Sequence, residues 1–229
     1  MAKHIGIVAV SAEGAALCYR TICAESAAIF GAHNHPEITM HTIPLARYMA
    51  PIYENDWNAV AQLVLRSAHK LAEAGADFLI CPDNTLHQAI DAIIDQSPRP
   101  WLHIATEVAA VAKSRGYRRI GVLGTKYLME GPVYPPKLAA AGLAHEIPSA
   151  EDRERINAII FDELVYGRSE EPARRFFQDV IMRMKARGCD AVALSCTEIP
   201  LLISEADSSL PILDSTRLLA RAALREAAR

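Results

Sequence analysis

Two residues in this chain have the type and the setting for proton-transfer chemistry, Cys196 and Asp83. Cys196 lies in the segment AVALSCTEIP, where an apolar run predicts a buried strand and Pro200 suits the first turn of a helix. A thiol at a helix N-terminus has a lowered pKa and is more often a thiolate. The sequence therefore favours Cys196 as a reactive group at the end of a strand.

The segment around Cys196 has a counterpart in the first half of the chain. RGCDAVALSCTE and AGADFLICPDN each run from a glycine through an acidic residue and an apolar strand to a reactive residue, which is Cys196 in one and Asp83 in the other. HIGIV matches RIGVL in the same way, and RPWLHI matches LPILD. The spacing indicates an old duplication, which would bring Asp83 and Cys196 to the C-terminal ends of equivalent strands, facing each other.

Strands alternate with helices along nearly the whole sequence, and this alternation predicts an α/β fold with parallel sheets. A chain of 229 residues is long enough for two small domains. We predict two similar domains related by a pseudo-twofold axis, residues 1–104 plus 215–229 and residues 105–214. The active site is expected in the cleft between them.

Composition argues against several classes of protein. Hydrophobic residues make up 51% and charged residues 22%, as in ordinary globular proteins. No apolar run approaches the ~20 residues of a membrane span, and the chain does not start like a signal peptide. A net charge of −3 without a Lys/Arg block argues against nucleic acid. We therefore predict a cytoplasmic protein with a small-molecule partner and no membrane or nucleic-acid partner.

Metal and disulfide sites are also disfavoured. The five cysteines form no CxxC pair, which argues against a disulfide framework and a structural zinc site. His33, His35 and His41 suggest a metal site only weakly, because no Asp/Cys cluster completes the set. We predict no metal.

Other polar residues fall where a ligand would bind at strand ends. Arg47 follows the predicted strand 38–43 in what we interpret as a loop, and its guanidinium suits forked recognition of a carboxylate, although a surface role is the alternative. Asp83 has an alternative role as a helix-capping carboxylate, worth about 1 kcal/mol. The predicted substrate-binding residues are Ser11, Arg47, Asn84, Thr85, Thr125, Thr197 and Glu198.

These segments resemble the aspartate/glutamate racemase superfamily. GADFLICPDNTLH, IGVLGT, IIFDELVYG, GCDAVALSCTEIPLLI and LPILDSTRLLARAAL occur in the family's order and spacing. The resemblance implies two domains with four-stranded parallel sheets and a homodimer. It also implies proton transfer at the α-carbon of a small amino acid or related aspartate- or glutamate-like carboxylate, without pyridoxal phosphate, metal or nucleotide cofactor.

In that family two residues, commonly cysteines, act on opposite faces of the substrate. The resemblance assigns these catalytic roles to Cys196 and Asp83. By alignment, Glu170 stands where the family has a lysine that grips the substrate carboxylate, and Leu219 stands in place of a usual histidine. These differences leave the substrate open.

The predicted function is a racemase or epimerase that acts by α-proton abstraction. One alternative is a one-sided isomerase, lyase or decarboxylase on a small carboxylate or cyclic amide, if Asp83 does not return a proton efficiently. A second alternative is a ligand-binding protein without turnover.

Overall fold

The computed structural model describes residues 2–229. Within that range the chain divides into two compact units. The first runs to Ile104 and resumes at Thr216–Arg229, and the second is Ala105–Ser215. Each unit contains a parallel sheet with helices around it, so the predicted α/β fold is confirmed.

The sheet of the first unit has β1 (Ile5–Ala9) at its centre, between β2 (Ile38–Thr42) and β3 (Phe78–Ile80). All three strands are parallel, and Ile5 pairs with Ile38 on one side and Phe78 on the other. Every residue of β1 and β3 is buried. Such continuous apolar strands are typical of a parallel sheet that is covered on both faces.

The prediction of four strands in each sheet is wrong for the first unit. Trp101 forms a single parallel bridge to Leu79, and the chain enters a helix at Ile104. Two backbone hydrogen bonds remain, from Leu79 to the carbonyl of Pro100 (2.8 Å) and from Leu102 to the carbonyl of Leu79 (3.0 Å). Because proline has no N–H to donate, the segment around Pro100 cannot extend this ladder.

The helices of the first unit pack around this sheet. The C-terminal helix returns to this unit, where Leu219 and Ala223 join Ile5, Ile7 and Phe78 in one apolar cluster. The helices are α1 (Ala12–Glu25), α2 (Ala27–Phe30), α3 (Leu45–Tyr53), α4 (Trp57–Glu73), α5 (His87–Ile93), α6 (Ile104–Ser114), which leads into the second unit, and α12 (Ser215–Ala227).

The sheet of the second unit has the predicted four parallel strands. They are β4 (Arg119–Leu123), β5 (Ala144–Glu146), β6 (Ala191–Leu194) and β7 (Ile212–Asp214), in the order β5-β4-β6-β7. One face packs against Phe177, Ile181 and Met184 in the core. The remaining helices are α7 (Lys126–Met129), α8 (Pro135–Ala140), α9 (Ala150–Asp162), α10 (Glu171–Ala186) and α11 (Ile199–Leu202).

The two sheets share the register that the sequence repeat predicts. Ile5 pairs with Phe78 in the first sheet, and Ile120 pairs with Ala191 in the second. The bridge between Leu79 and Trp101 corresponds in the same way to the pair Val192 and Ile212. No helix within residues 2–229 combines the length and the apolarity that crossing a bilayer requires.

The repeat also gives a matched pair of glycines, Gly6 and Gly121, whose substitution should have unequal costs. A Cβ on Gly6 would lie 2.9 Å from the Cβ of Ala76, a fixed atom, and 2.6 Å from Leu79 Cδ2. A Cβ on Gly121 would meet the flexible end of Met184, 2.9 Å from its Cε. We expect Gly6→Ala to lower the free energy of unfolding by about 1–3 kcal/mol, and Gly121→Ala to lower it by less. Urea unfolding followed by circular dichroism tests this, and an equal or larger loss in Gly121→Ala would contradict it.

Candidate functional site

Asp83 and Cys196 occupy matching places in their own units. Asp83 follows β3 at the carboxyl end of the first sheet, and Cys196 follows β6 at the carboxyl end of the second. Since Phe78 and Ala191 are register equivalents, Asp83 and Cys196 lie at the same distance along the chain beyond them. Ligands of open α/β sheets bind at this edge.

The thiol of Cys196 contacts a carboxylate. Its Sγ donates to Glu198 Oε2 over 3.1 Å, and the Thr197 hydroxyl donates to the same oxygen over 2.7 Å. All three side chains are buried. A carboxylate accepts hydrogen bonds and donates none, so both hydrogens point at Glu198.

The helix that follows Cys196 is short, so its dipole at the thiol is weaker than the sequence predicts. α11 has a single turn, because Ile203 already takes an extended backbone conformation (φ −114, ψ 117). A macrodipole builds up only over successive aligned peptides. Cys196 therefore has a carboxylate, Glu198, beside its thiol and only a single-turn helix after it.

Buried polar groups hold the strand end that precedes Cys196. The backbone N–H of Ser195 donates to the carbonyl of Leu123 over 2.7 Å, and Ser215 Oγ donates to the carbonyl of Leu194 over 2.9 Å. The hydroxyl of buried Tyr134 lies near the side chains of Ser195 and Ser215, and burial raises its pKa well above the ordinary value. Tyr134 therefore stays a neutral phenol. Sequence reasoning missed this residue, because nothing in its local pattern predicts where its hydroxyl lies.

Asp83 has the capping role that was its alternative. Its Oδ1 accepts the backbone N–H of Leu86 over 3.1 Å, and the side chain is partly buried. Asn84 and Thr85 hold the same turn through their carbonyls, which accept the N–H groups of His87 (3.2 Å) and Gln88 (3.3 Å). The N-cap residue of α5 is Leu86, which has no capping side chain, and Asp83 accepts the N–H of that residue and so holds the turn that leads into the helix.

Two buried groups lie next to Asp83. Cys81 is fully buried, and burial, with the negative charge of Asp83, raises its thiol pKa well above the ordinary value. Burial also raises the pKa of Tyr48 to about 12. Both groups stay protonated at neutral pH.

Ser11 and Thr125 are helix caps at corresponding places, each just after the first strand of its unit. Ser11 Oγ accepts the N–H of Gly14 (3.2 Å) at the start of α1, and Thr125 Oγ1 accepts the N–H of Leu128 (3.3 Å) at the start of α7. Such caps fix how each helix leaves the sheet edge.

Arg47 lies on a helix and not in the predicted loop. Its segment forms α3, with Arg47 on the exposed side and Tyr48 buried. The helix period of Tyr48 and Ile52, both buried, was the signal that the loop interpretation overlooked. Of the two family-specific positions, Glu170 is exposed at the start of α10 and Leu219 is buried in the core of the first unit.

Two of the three histidines considered for a metal have other polar neighbours. His41 Nδ1 lies 3.0 Å from Ser67 Oγ, and His35 Nδ1 lies 2.8 Å from the carbonyl of Pro36. In the described part of the chain, no group of three or more His, Cys, Asp or Glu side chains is arranged to hold a metal ion.

Three comparisons with known proteins all point to racemases. The model of the Asp/Glu/hydantoin racemase family matches residues 5–223. A proposed Asp/Glu racemase from Yersinia pestis has a TM-score of 0.89 and 32% identity, covering 99% of this chain and all of its own. An aspartate racemase homologue from Pyrococcus horikoshii has a TM-score of 0.85 and 27% identity over both whole chains. The broad specificity amino-acid racemase RacX of Bacillus subtilis is 23% identical over 197 residues, 84% of each protein.

The environment of Cys81 predicts slow alkylation in the folded protein. An ordinary thiol with a pKa of about 8.5 is mostly thiolate at pH 9. Because the pKa of Cys81 is raised, its thiol stays protonated there, and burial keeps the reagent away. With iodoacetamide at pH 9, peptide mass spectrometry should show the partly exposed Cys23 alkylated well before Cys81, until urea unfolds the chain. Equal rates in the native protein would show that Cys81 is accessible as a thiolate.

Proposed function

The chain belongs to the Asp/Glu/hydantoin racemase family, and on that premise we propose that it racemises a small amino acid with Cys196 and Asp83 as its two proton-transfer groups. As a member of this family it is an isomerase. The name of its relative RacX, a broad specificity amino-acid racemase, supports a search across several amino acids.

The observation that carries this proposal is the matched register of the two residues. A racemase of this type needs one group to remove the α-proton and another to return a proton on the opposite face. Asp83 and Cys196 are titratable side chains that stand at the same offset beyond the register equivalents Phe78 and Ala191, after the strands β3 and β6. We propose that both act on one substrate, Cys196 on one face and Asp83 on the other.

Glu198 gives the thiol of Cys196 a route for its proton. A thiolate beside a carboxylate is disfavoured by repulsion. If the proton of Sγ moves to Glu198 Oε2, which lies 3.1 Å away, the thiolate forms beside a neutral carboxylic acid. We therefore propose that Glu198 positions Cys196 and accepts its proton. Glu198 was predicted to bind substrate.

Thr197 takes part in the same arrangement. A hydroxyl has one hydrogen, and that of Thr197 is directed at Glu198 over 2.7 Å. Its side chain therefore supports Glu198 more directly than it supports a substrate. We propose that the developing enolate is stabilised by the hydroxyls of Ser11 and Thr125 and by backbone N–H groups after β3 and β6, with Asn84 and Thr85 in the turn of Asp83.

Asp83 Oδ1 accepts the N–H of Leu86 in the turn before α5, and this bond orients the carboxyl group. We propose that Asp83, as a carboxylate, removes the α-proton of one enantiomer. In the reverse direction, Asp83 as a carboxylic acid protonates the intermediate that forms after Cys196 has removed the α-proton of the other enantiomer. Arg47 is retained as a proposed ligand of the substrate carboxylate.

Deuterium exchange tests the proposal. In D2O, NMR of L- and D-amino acids with the wild-type protein should show loss of the α-proton signal with inversion for at least one pair. Cys196→Ala and Asp83→Asn should each lower the inversion rate by about 100-fold or more, because each removes one group of a two-group mechanism. The matched controls are Cys23→Ala and Asp95→Asn, which should keep the wild-type rate.

Two other results would contradict the proposal. Exchange with retention in every substrate, without inversion, would show a one-sided enzyme in which Asp83 does not return a proton. Inversion that persists in Cys196→Ala would remove Cys196 from the mechanism.

We also propose that the protein works as a homodimer, with the cytoplasm as its compartment. Tyr19, Ile29 and Met40 are among the exposed apolar side chains of the first unit, and a dimer interface would remove such side chains from water. Sedimentation equilibrium should give about twice the chain mass of 25.0 kDa. A mass equal to one chain across the micromolar range would contradict the dimer.

A further inference from the structure

A pair of histidines lies behind the turn that carries Asp83. His87, the first residue of α5, is fully buried, and its ring centroid is 4.4 Å from that of His103, tilted by 60°. His103 Nε2 lies 3.4 Å from Asp91 Oδ2. His87 and Asp91 are one helical turn apart on α5, so they share a face. That face holds His103, which comes from the segment just before α6.

The ring of His87 is bonded to the end of β3. Its Nε2 lies 3.0 Å from the carbonyl oxygen of Cys81. A carbonyl only accepts, so this nitrogen carries a hydrogen and donates it. Cys81 follows the last residue of β3, beyond the pairs of the ladder. The imidazole thus supplies a hydrogen bond at the point where the sheet can no longer supply one.

Three contacts together close the turn from residue 81 to residue 87. The ring of His87 binds the Cys81 carbonyl, its backbone N–H donates to the carbonyl of Asn84, and the Leu86 N–H donates to Asp83 Oδ1. The direction of the Asp83 carboxyl group depends on this closed turn. A buried imidazole is costly unless it is hydrogen-bonded, and an apolar ring would fill the space at a lower cost.

We propose that His87 is a positioning residue for Asp83, and that His103 with Asp91 holds its ring in place. This inference rests on the proposed function, since it assigns His87 to the half of the reaction that Asp83 performs. A displacement of about 1 Å in a reacting group can cost about 100-fold in rate. Loss of the bond from His87 to Cys81 should therefore slow proton transfer at Asp83 and leave Cys196 unaffected.

This selectivity has a measurable signature. Inversion needs both groups. Because the two enantiomers have equal energy, kcat/KM for inversion must fall by the same factor from L to D and from D to L. Exchange with retention needs only one group, which removes a proton and returns a deuteron on the same face. A defect at Asp83 should therefore lower inversion while exchange with retention persists for the enantiomer whose α-proton faces Cys196.

The experiment compares His87→Phe with His87→Gln in D2O. Phenylalanine keeps a ring but has no donor, whereas the glutamine amide nitrogen can replace Nε2. For His87→Phe we expect inversion to fall by about 10- to 100-fold, with retention exchange at the Cys196 face unchanged within a factor of about two. His87→Gln should restore most of the inversion. His145→Phe, at an exposed histidine of the second unit, is the control and should match wild type.

The outcomes separate this inference from the proposed function. A parallel fall of inversion and retention exchange in His87→Phe would indicate that the substitution damages the whole site. A loss of inversion in His87→Gln as large as in His87→Phe would show that the hydrogen bond from residue 87 to the Cys81 carbonyl is not what matters. Either result overturns the positioning role. If His87→Phe does not fold, His87→Asn replaces it, because its shorter amide does not reach the Cys81 carbonyl. If the wild-type protein inverts no amino acid, the proposed function itself fails, and this inference fails with it.

Discussion

Parallel pairing of the central strands is the constraint on which the rest of the structure depends. β1 pairs with β3, and β4 pairs with β6, in the same register. Parallel strands end at one edge of their sheet, so the residues that follow them gather there. Where the central strands pack closely against the core, only small residues fit, and Gly6 and Gly121 occupy matching places there. Asp83 and Cys196 have equivalent positions because the two sheets share this geometry.

At the last ladder pair and just beyond it, backbone groups need other partners. Side chains provide them at both strand ends: His87 binds the carbonyl of Cys81, and Ser215 binds the carbonyl of Leu194. Both hydrogen bonds are buried. A buried carbonyl without a partner would cost more free energy than the hydrogen bond contributes. The same bonds fix the segments that lead to Asp83 and Cys196. Stability of the strand ends and placement of the two proposed proton-transfer groups therefore have one physical origin.

The errors of the sequence interpretation have local causes. The fourth strand expected in the first sheet, in the segment RPWLHI that matches LPILD, is reduced to one bridge at Trp101, since Pro100 lacks a donor and Ile104 starts a helix. The segment after Pro44, interpreted as a loop, forms α3: Pro44 stands just before the helix, and Pro51 is accommodated inside it. Periodicity is a weak signal in segments this short, and tertiary packing then decides the conformation.

The sequence by itself determined the alternation of strands and helices, the repeat, the family and the equivalence of Asp83 with Cys196. These depend on period and spacing, which are properties of the linear chain. The tertiary structure alone decided which groups surround the two residues. Glu198 contacts the thiol, Tyr134 lies near Ser195, and the ring of His87 meets that of His103. Such contacts depend on side-chain direction and on packing between distant segments, and neither is encoded in a local pattern.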